Sequence, residues 1–466
     1  MILRRRALLA GVGMVFAFGV SSHPVPASAA TPAWTAYVTN SSSNSVTPID
    51  TATNTVGTAI AVGSNPQEIA VTPDGKTAYV ANFASNSVTP IDTATKTAGA
   101  AITVGGNPQG VAITPDGKTV YVANASSNNV TPIATATNTA GTAISVGSNP
   151  VGVAITPDGK TAYVTNAASN NVTPIATATN TAGAAITVGT TPYALAITPD
   201  GKTAYVVNDS SHSVTPIATA TNTAGAAINV GTGPLQIAIT PDGKTAYVTN
   251  SGSNSVTPIA TATNTPGTAI TVGSTPYGIA ITPDGRTAYV ANYASSSVTP
   301  IATATNTTGT SITVGINPIG IAITPDQAPR AQMSVTAAPP GSSSTFDASA
   351  STAAYGTIAS YVWDFGDGNT LSTAAATTTH TYATAGTYTA TVTETSSGGT
   401  STAAIFTGQT MSRNGSSQAV ATQAVTVAAV PVPATGGAPP TPWVPIGGTA
   451  LLILGLVAVR ANPVRR

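Results

Sequence analysis

The chain contains no cysteine in 466 residues, which excludes disulfides, thiol chemistry and cysteine-ligated metal sites. Only 6% of its residues are charged, and the whole sequence holds three histidines. Six of the fifteen basic residues lie at the two termini, which leaves nine against fifteen acidic residues in the body of the chain. A mildly acidic body without a basic patch argues against nucleic acid as a partner. With so few imidazoles, neither a histidine-rich metal centre nor a cofactor is expected.

Repetition dominates the remainder of the sequence. The segment 35–76 reads TAYVTNSSSNSVTPIDTATNTVGTAIAVGSNPQEIAVTPDGK, and its tyrosine returns every 42 residues without insertion or deletion, at Tyr37, Tyr79, Tyr121, Tyr163, Tyr205, Tyr247 and Tyr289. A fixed period of this length indicates one supersecondary unit that is stacked repeatedly. Residues 33–326 amount to seven such units.

Each unit contains four short runs rich in Val, Ile, Thr and Tyr, which in the first copy are 36–39, 46–51, 56–62 and 69–72. Gly, Asn, Pro and Asp separate the runs, a pattern typical of strands joined by tight turns. Four antiparallel strands per repeat predict the blade of a β-propeller. The run after the tyrosine, 46–51 in the first copy, is the third strand of a blade, and in every unit it holds a proline such as Pro48. Proline lacks a ladder donor, so we expect these third strands to be short or bulged.

The strands at which the repeats begin and end predict how the ring closes. The repeats begin near Trp34, at the second strand of a blade, and end with a lone first strand at 318–326. We expect this last strand to complete the blade begun by 35–62, since closure covers sheet edges that would otherwise pair with other chains. The expected fold class is all-β, a seven-bladed β-propeller followed by an Ig-like β-sandwich.

Tyr37-Val38-Thr39-Asn40, with the same four residues at 163–166 and 247–250, resembles the signature of YVTN-family propeller repeats. The resemblance covers about two-thirds of the chain. It implies the propeller fold and little about activity, because a scaffold of this kind hosts many functions.

A different β-domain is expected at 327–428. Its landmark is the run YVWDFGDG at 361–368, which resembles the PKD domain, an Ig-like sandwich. In this interpretation Trp363 is a core anchor and Gly-Asp-Gly turns a hairpin. Asp364, Asp367 and His380 are interpreted as turn-capping and fold residues rather than as a catalytic cluster.

Both termini look like targeting segments. Residues 1–30 combine three arginines, an apolar stretch and an Ala-x-Ala pattern, which predicts a signal peptide, either an ordinary secretory one or a twin-arginine one. A Pro-rich linker at 429–442 carries a motif that resembles the LPxTG sorting signal read by sortase, made of Val432, Pro433, Ala434, Thr435 and Gly436. An apolar run and an arginine tail follow at 443–466, so the alternative is a plain transmembrane anchor. Either interpretation predicts a secreted protein attached at the cell surface.

Candidate functional residues are those that break the repeat in loops expected to surround the central channel. They are Glu68, Phe83, Tyr193, Asp209, His212, Tyr277 and Tyr293. Aromatic rings with a few polar groups suit an extracellular protein or glycan ligand. The favoured interpretation is therefore a monomeric cell-surface binding, adhesion or structural protein without catalytic turnover.

The alternative is an extracellular propeller enzyme, similar to a lactonase or a lyase. Such an enzyme needs titratable groups within hydrogen-bond reach of one substrate. Only Glu68, Asp209 and His212 are available in the variable loops, and two of them share one loop.

Overall fold

A computed structural model describes residues 34–325, 329, 331–352, 358–396 and 419–429. The predicted signal peptide, sorting motif and hydrophobic anchor lie outside these residues and remain predictions. Within the described ranges, no helix is long and apolar enough to cross a membrane.

The first domain is built from seven antiparallel sheets, one for each repeat. The innermost strands are Pro66–Val71, Pro108–Ile113, Pro150–Ile155, Pro192–Ile197, Pro234–Ile239, Pro276–Ile281 and Pro318–Ile323. The second strands are Thr35–Asn40, Thr77–Asn82, Thr119–Asn124, Thr161–Asn166, Thr203–Asn208, Thr245–Asn250 and Thr287–Asn292. The third strands are Ser45–Asp50, Ser87–Asp92, Asn129–Ala134, Asn171–Ala176, Ser213–Ala218, Ser255–Ala260 and Ser297–Ala302.

Each outermost strand consists of two short pieces. The first pieces are Thr55–Val56, Thr97–Ala98, Thr139–Ala140, Thr181–Ala182, Thr223–Ala224, Thr265–Pro266 and Thr307–Thr308. The second pieces are Ile60–Ala61, Ile102–Thr103, Ile144–Ser145, Ile186–Thr187, Ile228–Asn229, Ile270–Thr271 and Ile312–Thr313.

The seven sheets form a closed ring. Each innermost strand contacts the innermost strands of both neighbouring blades, and Pro318–Ile323 contacts Pro276–Ile281 on one side and Pro66–Val71 on the other. Pro318–Ile323 also pairs with Thr35–Asn40, so the last strand of the array completes the first blade. The predicted fold class and mode of closure are confirmed.

The core of the ring lies between adjacent blades rather than within one of them. Tyr79 and Val88 of one blade, for example, pack with Val111 and Val122 of the next. Alternate apolar side chains of a strand thereby face one neighbouring sheet, and the intervening ones face the other. Every blade needs both neighbours to bury its two faces, which explains why the array closes.

The expectation for the third strands is wrong, because they are six residues long and pair regularly with the second strands. Pro48 pairs with Tyr37 within this ladder. The break falls on the outermost strand instead. Pro48 has no N–H to offer on that side, and its carbonyl oxygen accepts a hydrogen bond from the Gly57 nitrogen at 2.8 Å. The outermost strand therefore pairs only at its two ends, at Thr55–Val56 and Ile60–Ala61.

A tyrosine on each second strand links its blade to the next. The Tyr79 hydroxyl donates to Asn138 Oδ1 at 2.7 Å, and Tyr289 donates in the same way to Asn54 at 2.6 Å, across the closure. Tyr37 lacks this partner because Lys96 stands where the other blades have asparagine, and its hydroxyl reaches only the Thr93 carbonyl oxygen at 3.2 Å. Lys96 also has a positive φ of 56°, a conformation that favours asparagine.

Lys96→Asn is therefore expected to stabilise the propeller by about 1–2 kcal/mol, through one added interblade hydrogen bond and relief of backbone strain. Thermal and denaturant unfolding of the purified protein measures the change. The matched control is Asn180→Lys, which removes the equivalent partner of Tyr121 and should destabilise by a similar amount. Equal stability of Lys96→Asn and the wild type would contradict this role for the asparagine.

The described residues of the second domain form two sheets. One contains Ser334–Thr336, Ser343–Asp347 and Thr377–Thr381, and the other contains Ile358–Asp364, Thr370–Thr373, Gly386–Ser396 and Val420–Val427. Trp363 is buried and packs edge-on against Phe346, with ring centroids 6.0 Å apart. The predicted aromatic anchor thus occupies the core of an Ig-like sandwich.

The acidic and histidine side chains of this domain support its turns. Asp364 Oδ1 accepts from the Gly366 nitrogen at 2.9 Å, and Asp367 Oδ1 accepts from the Asn369 nitrogen at 3.1 Å. His380 Nε2 lies 2.7 Å from Asp367 Oδ2, and its ring stacks on Phe365 with centroids 4.1 Å apart. These contacts agree with the expected role in turn capping and packing.

Candidate functional site

Every innermost strand carries a β-bulge near its start. In the second blade Pro66 pairs with Asn82 and Ile69 pairs with Val80, so Gln67 and Glu68 together oppose a single residue. The same register shift occurs in all seven blades. A bulge re-aims side chains, and at least one residue of each bulged pair lines the cavities at the centre of the ring.

The second residue of each bulged pair lies very close to the next blade. A Cβ atom added to Gly110 would lie 2.2 Å from the Val151 carbonyl oxygen, and one added to Gly320 would lie 2.5 Å from the Gln67 carbonyl oxygen. Glycine therefore fills this position in four blades. Only Glu68, Ala194 and Gln236 place a side chain there.

Glu68 and Gln236 meet across the channel. Gln236 Nε2 donates to Glu68 Oε1 at 2.5 Å, although the two residues belong to non-adjacent blades. Their side chains border two adjoining cavities. The first cavity, called here the channel mouth, is lined by Gln67, Glu68, Gln109, Val151, Gly152, Tyr193, Ala194, Gln236, Tyr277 and Ile319. All seven blades contribute to the two cavities, so the channel mouth lies on the ring axis.

The three predicted tyrosines form a cluster, and two of them, Tyr193 and Tyr277, line the channel mouth. The hydroxyls of Tyr193 and Tyr277 hydrogen-bond to each other, and their rings contact edge to face with centroids 5.8 Å apart. Tyr293 lies beside Tyr277 with a centroid distance of 6.4 Å. In the pair of hydroxyls only one hydrogen joins the two oxygens, so the other hydrogen is available to a bound molecule.

Burial, followed by the charges of Glu68 and Asp209, raises the pKa of Tyr193 above its ordinary value. The phenol therefore stays protonated at neutral pH and can act as a hydrogen-bond donor. Asp209 is half-buried, and burial raises the pKa of its carboxyl group while His212 opposes the shift. Glu68 and Asp209 thus make the surroundings of Tyr193 electronegative.

Threonines of the second strands hold the backbone behind the tyrosines. Thr165 Oγ1 donates to the Tyr193 carbonyl oxygen at 2.6 Å and accepts from the Gly152 nitrogen at 2.8 Å. Thr249 Oγ1 donates to the Tyr277 carbonyl oxygen, also at 2.6 Å. Thr39 bonds the Gln67 carbonyl oxygen and the Gly320 nitrogen in the same way. These are the threonines of the three intact Tyr-Val-Thr-Asn signatures, so each signature fixes a channel-lining residue of the following blade.

His212 has a structural role that its chemistry did not suggest. Its φ is 51°, and its Nδ1 accepts a hydrogen bond from the Gly233 nitrogen at 3.2 Å. Asparagines at the equivalent position of other blades do the same, as when Asn44 Oδ1 accepts from the Asn65 nitrogen at 2.9 Å. The imidazole of His212 therefore replaces a turn asparagine and does not line the channel mouth.

Phe83 is also absent from the residues that line the channel mouth. Of the seven predicted candidates, the structure thus brings together Glu68, Tyr193, Tyr277 and Tyr293, with Asp209 next to Tyr193. Gln109 and Gln236 were missed. Gln236 had a visible signal, because it breaks a position that is otherwise mostly glycine. Among the described residues, no three His, Asp or Glu side chains gather in a way that could hold a metal ion.

Two family models match the chain, one in the propeller and the other in the second domain. Residues 34–143 and 218–314 match the model described as lactonase, 7-bladed beta-propeller, and residues 326–410 match the PKD domain. The lactonase match includes Glu68, Gln236 and Tyr277 but not the stretch with Tyr193 and Asp209. The chain therefore carries a lactonase-like seven-bladed propeller and a PKD domain.

Solved structures of similar fold include hydrazine synthase of Kuenenia stuttgartiensis, at 29% identity over 57% of this chain and 92% of that one, with a TM-score of 0.54. A putative 6-phosphogluconolactonase of Bacteroides uniformis has 20% identity, covering 62% and 99%, with a TM-score of 0.54. The periplasmic gluconolactonase of Pseudomonas aeruginosa has 19% identity, covering 63% and 99%, with a TM-score of 0.55. At such identities the two lactonases establish only the shared fold. No curated protein matches the chain.

Proposed function

We propose that the propeller hydrolyses lactones at the channel mouth, with Glu68 as the general base. The observation that carries this proposal is the Glu68 carboxylate on the ring axis, oriented by Gln236 at 2.5 Å and accompanied by the Tyr193–Tyr277 pair. The match of much of the ring to a lactonase model supports the enzymatic alternative over adhesion.

The reaction needs only groups that the channel mouth holds. Glu68 takes a proton from water, and the resulting hydroxide oxygen bonds to the lactone carbonyl carbon. The free hydroxyl hydrogen of the tyrosine pair donates to the carbonyl oxygen as negative charge develops there. When the tetrahedral species collapses, the ring C–O bond breaks and the proton held by Glu68 passes to the departing alkoxide. The product is the open hydroxy acid.

A second candidate function is binding without turnover, and the cluster of Tyr193, Tyr277 and Tyr293 favours it. Tyrosine rings offer a flat apolar surface with a polar edge, which suits the hydroxyl-rich faces of a glycan. Glu68 and Gln236 would then act as hydrogen-bonding groups that orient the ligand.

The purified full-length protein is expected to open δ- or γ-lactones faster than buffer does. A pH-stat measures the acid released by the product, and the spontaneous rate is subtracted. Saturable binding of a lactone, detected by a change in tyrosine fluorescence without acid release, would support the binding candidate instead. If the protein hydrolyses none of these lactones, and binds neither the lactones nor glycans, both candidates are wrong.

A further inference from the structure

The residues that line the channel mouth form a polar side and an apolar side. Gln67 and Gln109, on two neighbouring blades, form the polar side together with Glu68, to which Gln236 donates. The apolar side is larger, because four other blades supply it, with Val151, Tyr193, Tyr277 and Ile319. A lining divided in this way orients a ligand that has one polar part and one apolar part.

The apolar side continues outwards from the channel mouth. The ring of Tyr293, which is outside the lining, lies 6.4 Å from that of Tyr277, with an angle of 38° between the two planes. The Tyr293 carbonyl oxygen accepts a hydrogen bond from Asn317 Nδ2 at 3.1 Å. This bond brings Ile316, the residue before Asn317, to the outer end of the same surface. Tyr277, Tyr293 and Ile316 are called here the apolar row.

Ile316 is exposed at a position that the other blades fill with small or polar residues, which are Ser64, Gly106, Ser148, Thr190, Thr232 and Ser274. Within residues 34–325, the other large aliphatic side chain that is exposed is Val56, on an outermost strand. An isoleucine side chain cannot hydrogen-bond to a sugar, but covering it with an alkyl chain removes apolar surface of both from water. The outer end of the apolar row therefore suits a hydrocarbon chain.

The backbone of the apolar row is held in place by its neighbours. The Tyr293 nitrogen donates to the Thr275 carbonyl oxygen at 2.9 Å, and the Ile316 nitrogen donates to Ser43 Oγ at 2.8 Å. Because the loops are already ordered by these bonds, a ligand that covers the row loses little affinity to ordering them.

We infer that the propeller prefers lactones that carry an alkyl chain, which lies along the apolar row while the lactone ring occupies the channel mouth. This inference rests on the proposed function and names its substrate class. Tyr293 and Ile316 contact the chain and not the reacting carbonyl, so they determine specificity. A hydroxyl-rich lactone without such a chain leaves the row exposed to water and gains nothing from it.

The test compares kcat/KM for δ-hexalactone, δ-octalactone and δ-decalactone, whose ring substituents are methyl, propyl and pentyl. Hydrolysis by the purified full-length protein is measured with a pH-stat, and glucono-δ-lactone is the hydroxyl-rich comparison. Each methylene that the row half buries should add a factor of about two. We therefore expect kcat/KM to rise at least ~10-fold from methyl to pentyl, and to be lower for glucono-δ-lactone than for δ-decalactone.

Tyr293→Ser removes the middle of the apolar row, and serine occupies this position in two other blades. The ratio of kcat/KM for δ-decalactone to that for δ-hexalactone should fall about fivefold. Phe83→Ser is the matched control, because Phe83 also follows a Tyr-Val-Ala-Asn run and its carbonyl oxygen also accepts from an asparagine, Asn107. Phe83 is outside the apolar row, so its variant should keep the wild-type ratio.

The two proposals fail in different ways. If the wild type hydrolyses the three alkyl lactones equally well, or glucono-δ-lactone better than δ-decalactone, the inferred preference is overturned while lactone hydrolysis stands. If Tyr293→Ser and Phe83→Ser lower the ratio equally, the apolar row does not bind the chain. If no lactone is hydrolysed, the proposed function is overturned and the inference with it.

Discussion

Glu68→Gln is expected to lower kcat for lactone hydrolysis by at least ~100-fold, because an amide cannot take a proton from the attacking water. The substitution changes one oxygen into a nitrogen of similar size, so the Gln236 side chain keeps a neighbour of the same shape. Initial rates by pH-stat over a range of lactone concentrations separate the effect on kcat from that on KM. Loss of kcat with little change in KM is the outcome that identifies a group used in the chemical step.

Asp209→Asn is the matched control for this experiment. It removes the other carboxylate near Tyr193 by the same kind of substitution, yet Asp209 is outside the residues that line the channel mouth. Its kcat should stay within a few-fold of the wild type. Both variants should have the melting temperature of the wild type, because neither side chain belongs to the interblade core. A Glu68→Gln protein that retains most of its activity would remove Glu68 from the role of base.

Ile321→Lys is expected to unfold the ring or to destabilise it by at least ~4 kcal/mol, since it would bury an unpaired charge. Ile321 is completely buried in the strand that closes the ring, where it pairs with Val38 and packs in one cluster with Trp34 and Ile49. Loss of that strand would expose the edge of Thr35–Asn40, which can then pair with other molecules. Unfolding in denaturant and size-exclusion chromatography measure the two consequences.

The chain supplies a control five residues earlier. Ile316 is 58% exposed in the loop that precedes the same strand, so Ile316→Lys introduces the same charge without burying it. Its unfolding free energy should lie within ~0.5 kcal/mol of the wild type. If Ile321→Lys and Ile316→Lys have the same free energy of unfolding, the closing strand does not hold the ring together.

The repeat was sufficient to predict the ring, because the 42-residue period, the unit count and the phase of the first and last strands all agreed. Pro48 was placed in the right strand, but its effect was expected in that strand itself, and it falls on the outermost strand instead. The sequence shows that a ladder donor is missing and does not show which side of the strand needs it. The structure answers this by splitting the outermost strand.

The candidate site was only partly predictable. Glu68, Tyr193 and Tyr277 were found because they interrupt the repeat, and they share the channel mouth. His212 was selected for its chemistry, yet it serves a turn that other blades build with asparagine. The pairing of Gln236 with Glu68 joins residues 168 positions apart, and only the bulged register, which turns both towards the axis, brings them together.

Because of the bulges, the residues that build the fold are different from the residues that would contact a ligand. Interblade packing, turns and closure use residues that are nearly the same in every unit, so copying a unit copies the scaffold. What a unit contributes to the channel mouth is confined to the two consecutive residues of its bulge. At the second of these positions, the nearby carbonyl oxygen of the next blade favours glycine, which stands there in four blades. A ring of this kind can therefore change its chemistry by substitutions at two positions in each of seven blades, while the rest of the unit stays constant.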